Sequence, residues 1–217
     1  MKRMRQTQPS LPAVPSRQAG FSLVEILVAV VVFLVLASIA APNLVRAIRR
    51  YQLESSARNV ANIILRTRYE AVNRNRRVAT AFLPPAGNEG ARYGIDMNGN
   101  GILDALEPRV MVSSQATFWQ NNVPTLPPAN TLATLPADYT NVAVPLNPAY
   151  SVSFSPRGTV VVDAGGGNWQ LAPQVQLIAF VRGDPNDPPN FDSWLIGVTP
   201  AGRVRVWFWA GNAWTPS

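Results

Sequence analysis

The segment Asp96-Met97-Asn98-Gly99-Asn100-Gly101-Ile102-Leu103-Asp104-Ala105-Leu106-Glu107 carries the most explicit chemistry in the sequence. Asp96, Asn98, Asn100 and Asp104 place side-chain oxygens at its first, third, fifth and ninth positions, and Glu107 closes it with a carboxylate able to bind through both oxygens. Gly101 stands where the chain must turn sharply, and Ile102 offers its backbone carbonyl. Calcium takes about six to eight hard oxygens, and this spacing, that of an EF-hand-type loop, winds them round one point. The expected cofactor is therefore Ca2+. Only three of the ligands are carboxylates, so the affinity should be weak and suited to millimolar external calcium. The alternative is a metal-free hairpin tip, since Asn-Gly pairs are common turn formers. The two carboxylates at the far end have no role in such a turn. Residues 92–95 and 108–113 read as extended, which gives the loop without paired helices.

A second constellation is Gly202-Arg203-Val204-Arg205, followed by Trp207, Trp209 and Trp214. Alternation along a strand puts Arg203, Arg205 and Trp207 on one face, with Val204, Val206 and Phe208 on the other. Two guanidinium groups beside an indole can hold phosphates and stack on a base, which makes DNA a candidate partner. Against this stands the ordinary case of arginines on a solvated strand face, with Trp207 covering a sheet. Gly165-Gly166-Gly167 lacks the strand–loop–helix setting and the lysine of a phosphate loop and reads as a hairpin turn. The carboxylates among residues 184–190 follow no metal-loop spacing. The chain has no cysteine and no histidine. That removes disulfides, thiol nucleophiles, histidine bases and the common zinc sites together, so an enzyme is not expected.

The elements that position these groups begin with an apolar run from Phe21 to Ala41 whose only charge is Glu25. As a helix this run measures about 31 Å, the thickness of a bilayer's hydrocarbon core. A carboxylate inside such a segment is costly without a dedicated partner and marks a functional site by default. The junction Gly20-Phe21-Ser22-Leu23-Val24-Glu25 resembles the type IV pilin-like N-terminus: a basic leader ending in glycine, then an apolar helix with glutamate at its fifth position. The resemblance implies that a prepilin peptidase cuts after Gly20 and methylates Phe21. It also implies that Glu25 aligns subunits through a neighbour's terminal amine, and that Pro42 is the family's proline, twenty-second in the mature chain. The competing reading is a secretory signal cut after Ser38-Ile39-Ala40. Glu25 would then fall at the head of the apolar region, behind an unusually long leader, and the run continues past that cut without a turn.

From residue 21 the helical pattern runs to about residue 77, with Pro42 weakening the hydrogen-bond ladder near Ser38. Leu53, Ala57, Val60, Ala61, Ile64, Ala71 and Val72 recur at three- and four-residue spacing, as one face of a helix laid on a core. Glu54 is placed to pair with Arg50 and Arg58, and Glu70 with Arg66 and Arg74. Beyond residue 77 the period becomes extended. Residues 78–83, 109–113, 151–155, 159–163, 175–182, 193–199 and 203–209 read as strands separated by Gly, Pro, Asn and Asp clusters. Pro156-Arg157-Gly158 and Pro200-Ala201-Gly202 argue for antiparallel hairpins. Residues 123–148, with six prolines, read as a long surface loop.

The expected architecture is α+β: a cleaved leader (1–20), a long N-terminal helix (21–77, its 21–41 portion transmembrane or filament core) and a C-terminal antiparallel β domain (78–217). This layout resembles the GspH/FimT branch of pseudopilins and minor pilins, and Gly202-Arg203-Val204-Arg205 is similar to the GRxR signature of FimT-type minor pilins linked to DNA uptake. The resemblance implies a protein that assembles into or primes a type IV pilus or a type II secretion pseudopilus, with other pilins or pseudopilins as partners. Alternatives are a DNA-binding minor pilin of natural transformation and a membrane-tethered periplasmic domain. The formal charge of +7 divides unevenly. Lys2, Arg3, Arg5 and Arg17 lie before the junction, nine arginines lie between Arg46 and Arg77, and the remainder is net negative. Basic residues ahead of the apolar run predict a cytoplasmic N-terminus, an inner-membrane span and a C-terminal domain outside the cytoplasm.

Overall fold

A computed structural model describes residues 22–85, 90–114, 117–118, 135–139, 151–182, 191–211 and 213–217. The chain divides into two units, Met1–Val45 and Arg46–Ser217. One α-helix, α1 (Leu23–Asn73), contributes to both and contains Pro42 without interruption. In the first unit its apolar side chains, Leu27, Phe33, Leu36 and Ile39 among them, are exposed. Pro42 has no N–H to donate, so the bond that position 42 would make to the Ser38 carbonyl is missing. The Ser38 hydroxyl meanwhile donates to the Val35 carbonyl at 2.7 Å. The leader and the Gly20–Phe21 junction lie outside the described residues, as do most of residues 123–148 and all of residues 184–190.

In the second unit the same helix buries Leu53, Ser56, Ala57, Val60, Ala61, Ile63, Ile64, Thr67 and Ala71. Burying each large aliphatic side chain is worth about 1.5–3 kcal/mol. Val72 departs from the sequence reading: it is half exposed, because Ala71 already occupies the inward position at that turn. The helix also stops at Asn73, short of residue 77. Asn75 adopts φ +49°, Asn75 N–H donates to the Val72 carbonyl and Arg76 N–H to that of Ala71. This is a Schellman stop built on one of the few side chains that tolerates left-handed geometry.

Two antiparallel sheets complete the unit. The first has the order β3 (Arg109–Met111), β2 (Arg92–Asp96), β1 (Val78–Leu83), β5 (Ser153–Phe154), β6 (Val160–Asp163), β7 (Trp169–Leu171). The second runs β11 (Trp214–Pro216), β10 (Val204–Trp209), β9 (Asp192–Val198), β8 (Gln176–Arg182), β4 (Thr117–Phe118). The short strands β4, β7 and β11 were not legible in the sequence. Tyr93, Ile95 and Phe154 of the first sheet, Ile178, Phe180, Trp194 and Ile196 of the second, and the buried helix face share one core. A second, smaller core lies on the opposite face of β8–β10, where Leu177, Ala179, Leu195 and Trp207 meet Leu135 and Tyr139. Tyr139 ends a 3-10 turn, Ala137–Tyr139, within the stretch expected to be loop.

Candidate functional site

The acidic loop joins β2 to β3, so its two ends are fixed by adjacent strands, Gly94 facing Arg109. Leu103 is buried beneath it. Gly99 and Gly101 adopt φ +80° and +79°, the left-handed geometry that the tight winding requires. Asp96, only 3% exposed, accepts from the amides of Gly99 (2.6 Å), Asn100 (3.2 Å) and Gly101 (2.8 Å). Glu107, 9% exposed, accepts from Met97 (2.5 Å) and Asp104 (2.8 Å). The Asn98 and Asn100 amides both donate to Asp104, at 2.6 and 3.1 Å. Asn98, Asn100 and Asp104 are thus joined side chain to side chain, while Asp96 and Glu107 each gather backbone amides of the same loop.

These residues fit a calcium ion by the chemistry of the donor set. Two carboxylates are almost wholly buried without an ion-pair partner among the described residues, and each carboxylate has about four lone-pair sites, so the amide contacts leave acceptor capacity free. Nearby arginines bind backbone instead: Arg76 donates to the Met97 carbonyl and Arg109 to that of Asp104 at 3.4 Å. No group of three His, Cys, Asp or Glu side chains forms a ready metal cluster among the described residues. A complete shell would draw on Asn98, Asn100 and the Ile102 carbonyl as well as the acids.

The second candidate separates into different parts. Gly202 closes the β9–β10 turn at φ +79°, its N–H donating to the Thr199 carbonyl at 2.7 Å. Arg203 and Arg205 are exposed. Trp207 is not available to a base: it is 0% exposed and packs edge-on against Tyr139 with ring centroids 4.5 Å apart. Alternation does place it on the arginine face, but residues 135–139, far away in sequence, cover that part of the face. Trp207 Nε1 and the Tyr139 hydroxyl are both buried without a hydrogen-bond partner among the described residues. Burial pushes the Tyr139 hydroxyl's pKa up, against the opposing pull of Arg203 and Arg205. Asp138 comes within 3.9 Å of Arg203.

Sequence reading missed Arg68, which holds this turn in place. Its guanidinium donates to the Gly158 carbonyl at 2.9 Å and the Gly202 carbonyl at 3.1 Å, tying the β5–β6 and β9–β10 turns to the helix. The Val160 amide also reaches the Pro200 carbonyl at 2.8 Å. Nothing local in the sequence signals carbonyl partners so far along the chain.

The third candidate is Glu25, in the first turn of α1 and exposed among exposed apolar side chains. No basic side chain pairs with it among the described residues. The helix holds a stretch long and apolar enough to cross a membrane, by length and composition. Residues 15–41 match the model of the prokaryotic N-terminal methylation motif. The N-terminus carries the prepilin-type methylation motif. The match includes Gly20, Phe21 and Glu25 and ends one residue before Pro42. A crystal structure of the type IV minor pilin FimU of Pseudomonas aeruginosa is similar over 71% of this chain and 87% of that one, at 16% identity and a TM-score of 0.42. No curated protein sequence matches the chain. The motif match thus covers the start of the helix alone, and the β unit stands on its own geometry.

Proposed function

We propose that this chain is a minor pilin or pseudopilin of the GspH/FimT kind, which assembles into or primes a type IV pilus or a type II secretion pseudopilus. The observation that carries the reading is a carboxylate, Glu25, with no basic partner among the described residues, in the first turn of an exposed apolar helix inside the methylation motif. In the inner membrane the apolar stretch holds the protomer, with the β unit outside the cytoplasm. In the fibre the same side chains find cover in neighbouring helices, and Glu25 attracts the terminal amine of an adjacent subunit. Such a pair is attractive because the apolar surroundings leave no water to compensate either charge. The role is mechanical, not catalytic. Prepilin peptidase is the processing partner. Mass spectrometry of the mature N-terminus tests this: N-methylated Phe21 supports the reading, while a chain beginning at Ala41 would establish a secretory signal instead.

The acidic loop is proposed as a calcium site held by Asp96, Asn98, Asn100, Asp104, Glu107 and the Ile102 carbonyl. Bound there, the ion supplies positive charge that locks the loop between β2 and β3. The two buried acids favour this over a plain turn.

A second reading, DNA contact, is supported by the exposed pair Arg203 and Arg205. In this reading they engage phosphates only, since Trp207 lies in the core. Replacing both with glutamine should remove roughly two units from the slope of log affinity against log salt. Retardation that persists unchanged in the double variant overturns it.

A further inference from the structure

Three arginines of α1 carry charge that the fold leaves almost unused. Arg46, Arg49 and Arg50 are exposed, and their spacing of three and four residues puts them on one face of the helix. Arg46 and Arg49 have no partner among the described residues. Arg50 lies over the Phe208 ring, 5.3 Å from its centroid. No carboxylate occurs in residues 26–53, and Glu54 is taken by Arg58 at 2.9 Å. Leu44, Ile48 and Tyr51, all exposed, fall on the opposite face and make this stretch amphipathic.

Position along the helix selects the partner. The apolar run, long enough to cross a membrane, ends at Ala41, and Arg46 follows five residues later, about 7.5 Å of helical rise. The polar layer of a bilayer is about 5–7.5 Å thick on each side of its hydrocarbon core, so Arg46 falls at headgroup level. Arg49 and Arg50 stand about one turn further out. Side chains on an α-helix lean toward its N-terminus, here back toward the bilayer, and an arginine is long enough to reach its surface. Tyr51, 72% exposed, is of the residue type that belts a membrane interface. Membrane orientation does not call for these charges, since it favours arginines on the cytoplasmic flank and these three follow the span on the other. Nor do the helices of like subunits supply acids for them: between residues 21 and 53 the only carboxylate is Glu25.

We propose that Arg46, Arg49 and Arg50 bind the phosphates of anionic phospholipids in the outward leaflet, a role that rests on reading residues 21–41 as a membrane span. Guanidinium groups fork onto phosphate oxygens, and headgroups of one net negative charge can line up along a face of three separate cations.

The test uses the full chain in dioleoylphosphatidylcholine vesicles with trace spin-labelled phosphatidylglycerol or phosphatidylcholine. Lys2, Arg3, Arg5 and Arg17 are changed to glutamine, so that the leader adds no preference of its own. Electron paramagnetic resonance reads the fraction of each lipid held at the protein. Phosphatidylglycerol should associate about fivefold more strongly, the factor to which about 1 kcal/mol per surface arginine corresponds. The R46Q/R49Q/R50Q variant should lose this preference, and about 1 M salt should erase it in the parent. These side chains are exposed, so insertion, scored by resistance to alkaline extraction, should be the same with and without them. A chain that alkali strips from the vesicles sinks the span reading and this proposal together. An inserted chain without a phosphatidylglycerol preference, or with one that the triple variant or salt leaves unchanged, overturns the proposal alone.

Discussion

Replacing Gly202 with alanine separates what the glycine of Gly202-Arg203-Val204-Arg205 does from what the arginines do. A Cβ at this position would stand 2.3 Å from the Gly158 carbonyl oxygen and 2.8 Å from Arg68 Nε. The first contact is with a backbone atom that has no side-chain freedom to yield, so one hairpin turn must move away from the other. The φ of +79° adds a second penalty, since a left-handed L-residue costs about 1–2 kcal/mol. Forcing tightly packed groups apart adds about 1–3 kcal/mol. The expected loss is about 3 kcal/mol, and a domain of this size loses roughly 2–4 °C per kcal/mol, so the melting temperature should fall by about 10 °C. Near-UV circular dichroism of the thermal transition reads it out. Arg203→Gln and Arg205→Gln, on exposed side chains, should stay within about 0.5 kcal/mol of the parent. In an Arg68→Ala background Gly202→Ala should remain costly, because the Gly158 carbonyl is still in the way. A melting temperature within about 2 °C of the parent, or full rescue by Arg68→Ala, would refute the reasoning.

Glu25→Ala should still be inserted and cleaved yet enter filaments poorly beside wild type; normal incorporation, scored by immunoblot of sheared fibres, would count against a registering role. For a dissociation constant near 10⁻⁴ M, about 10 mM calcium should stabilise the β unit by roughly 2.7 kcal/mol. Asp96→Ala or Glu107→Ala should abolish most of that gain, and equal melting temperatures in calcium and chelator would leave the segment a plain turn. Stability should also fall as pH rises above about 10. Burial raises the Tyr93 hydroxyl well above its ordinary range, so the unfolded chain releases that proton first; a Tyr93→Phe variant should flatten the decline in a pH series of denaturation midpoints.

The parts legible in the sequence were those set by local pattern. The apolar face from Leu53 to Ala71, the hairpins at Pro156–Gly158 and Pro200–Gly202, and the winding of residues 96–107 each follow from residue type at short spacing. The misreadings arose where a distant segment decides. Trp207 alternates with the arginines as expected, yet Tyr139 lies over it, lodged beside Gly197, whose absent side chain leaves room for both rings. No local rule reveals that a turn in a proline-rich stretch will cover one face of β10. The strands β7 and β11 escaped for a different reason. At three residues each they are too short for alternation to register, and only their pairing with β6 and β10 defines them.

The helix arginines show why a charge count is a poor guide to partners. Nine arginines against two glutamates between residues 46 and 77 look like a polyanion-binding stripe. In the folded chain most are engaged one by one. Arg58 and Arg74 pair with Glu54 and Glu70, each at 2.9 Å. Arg50 lies over Phe208 and Arg77 over Trp169. Arg68 joins two turn carbonyls, and Arg76 donates to a carbonyl of the acidic loop. Exposed i,i+4 pairs contribute only about 0.3–0.5 kcal/mol apiece, so they stabilise little, yet they still compensate charge locally. The arginines bound to carbonyls act as cross-links between the helix and its sheets. A phosphate backbone would have to compete with those contacts along the helix, whereas Arg203 and Arg205 sit exposed, with Asp138 at 3.9 Å from Arg203. Any DNA contact this chain makes is therefore to be sought first at the β9–β10 turn, and most of the helix arginines are better understood as groups that bind turn carbonyls, ring faces and the helix's own glutamates.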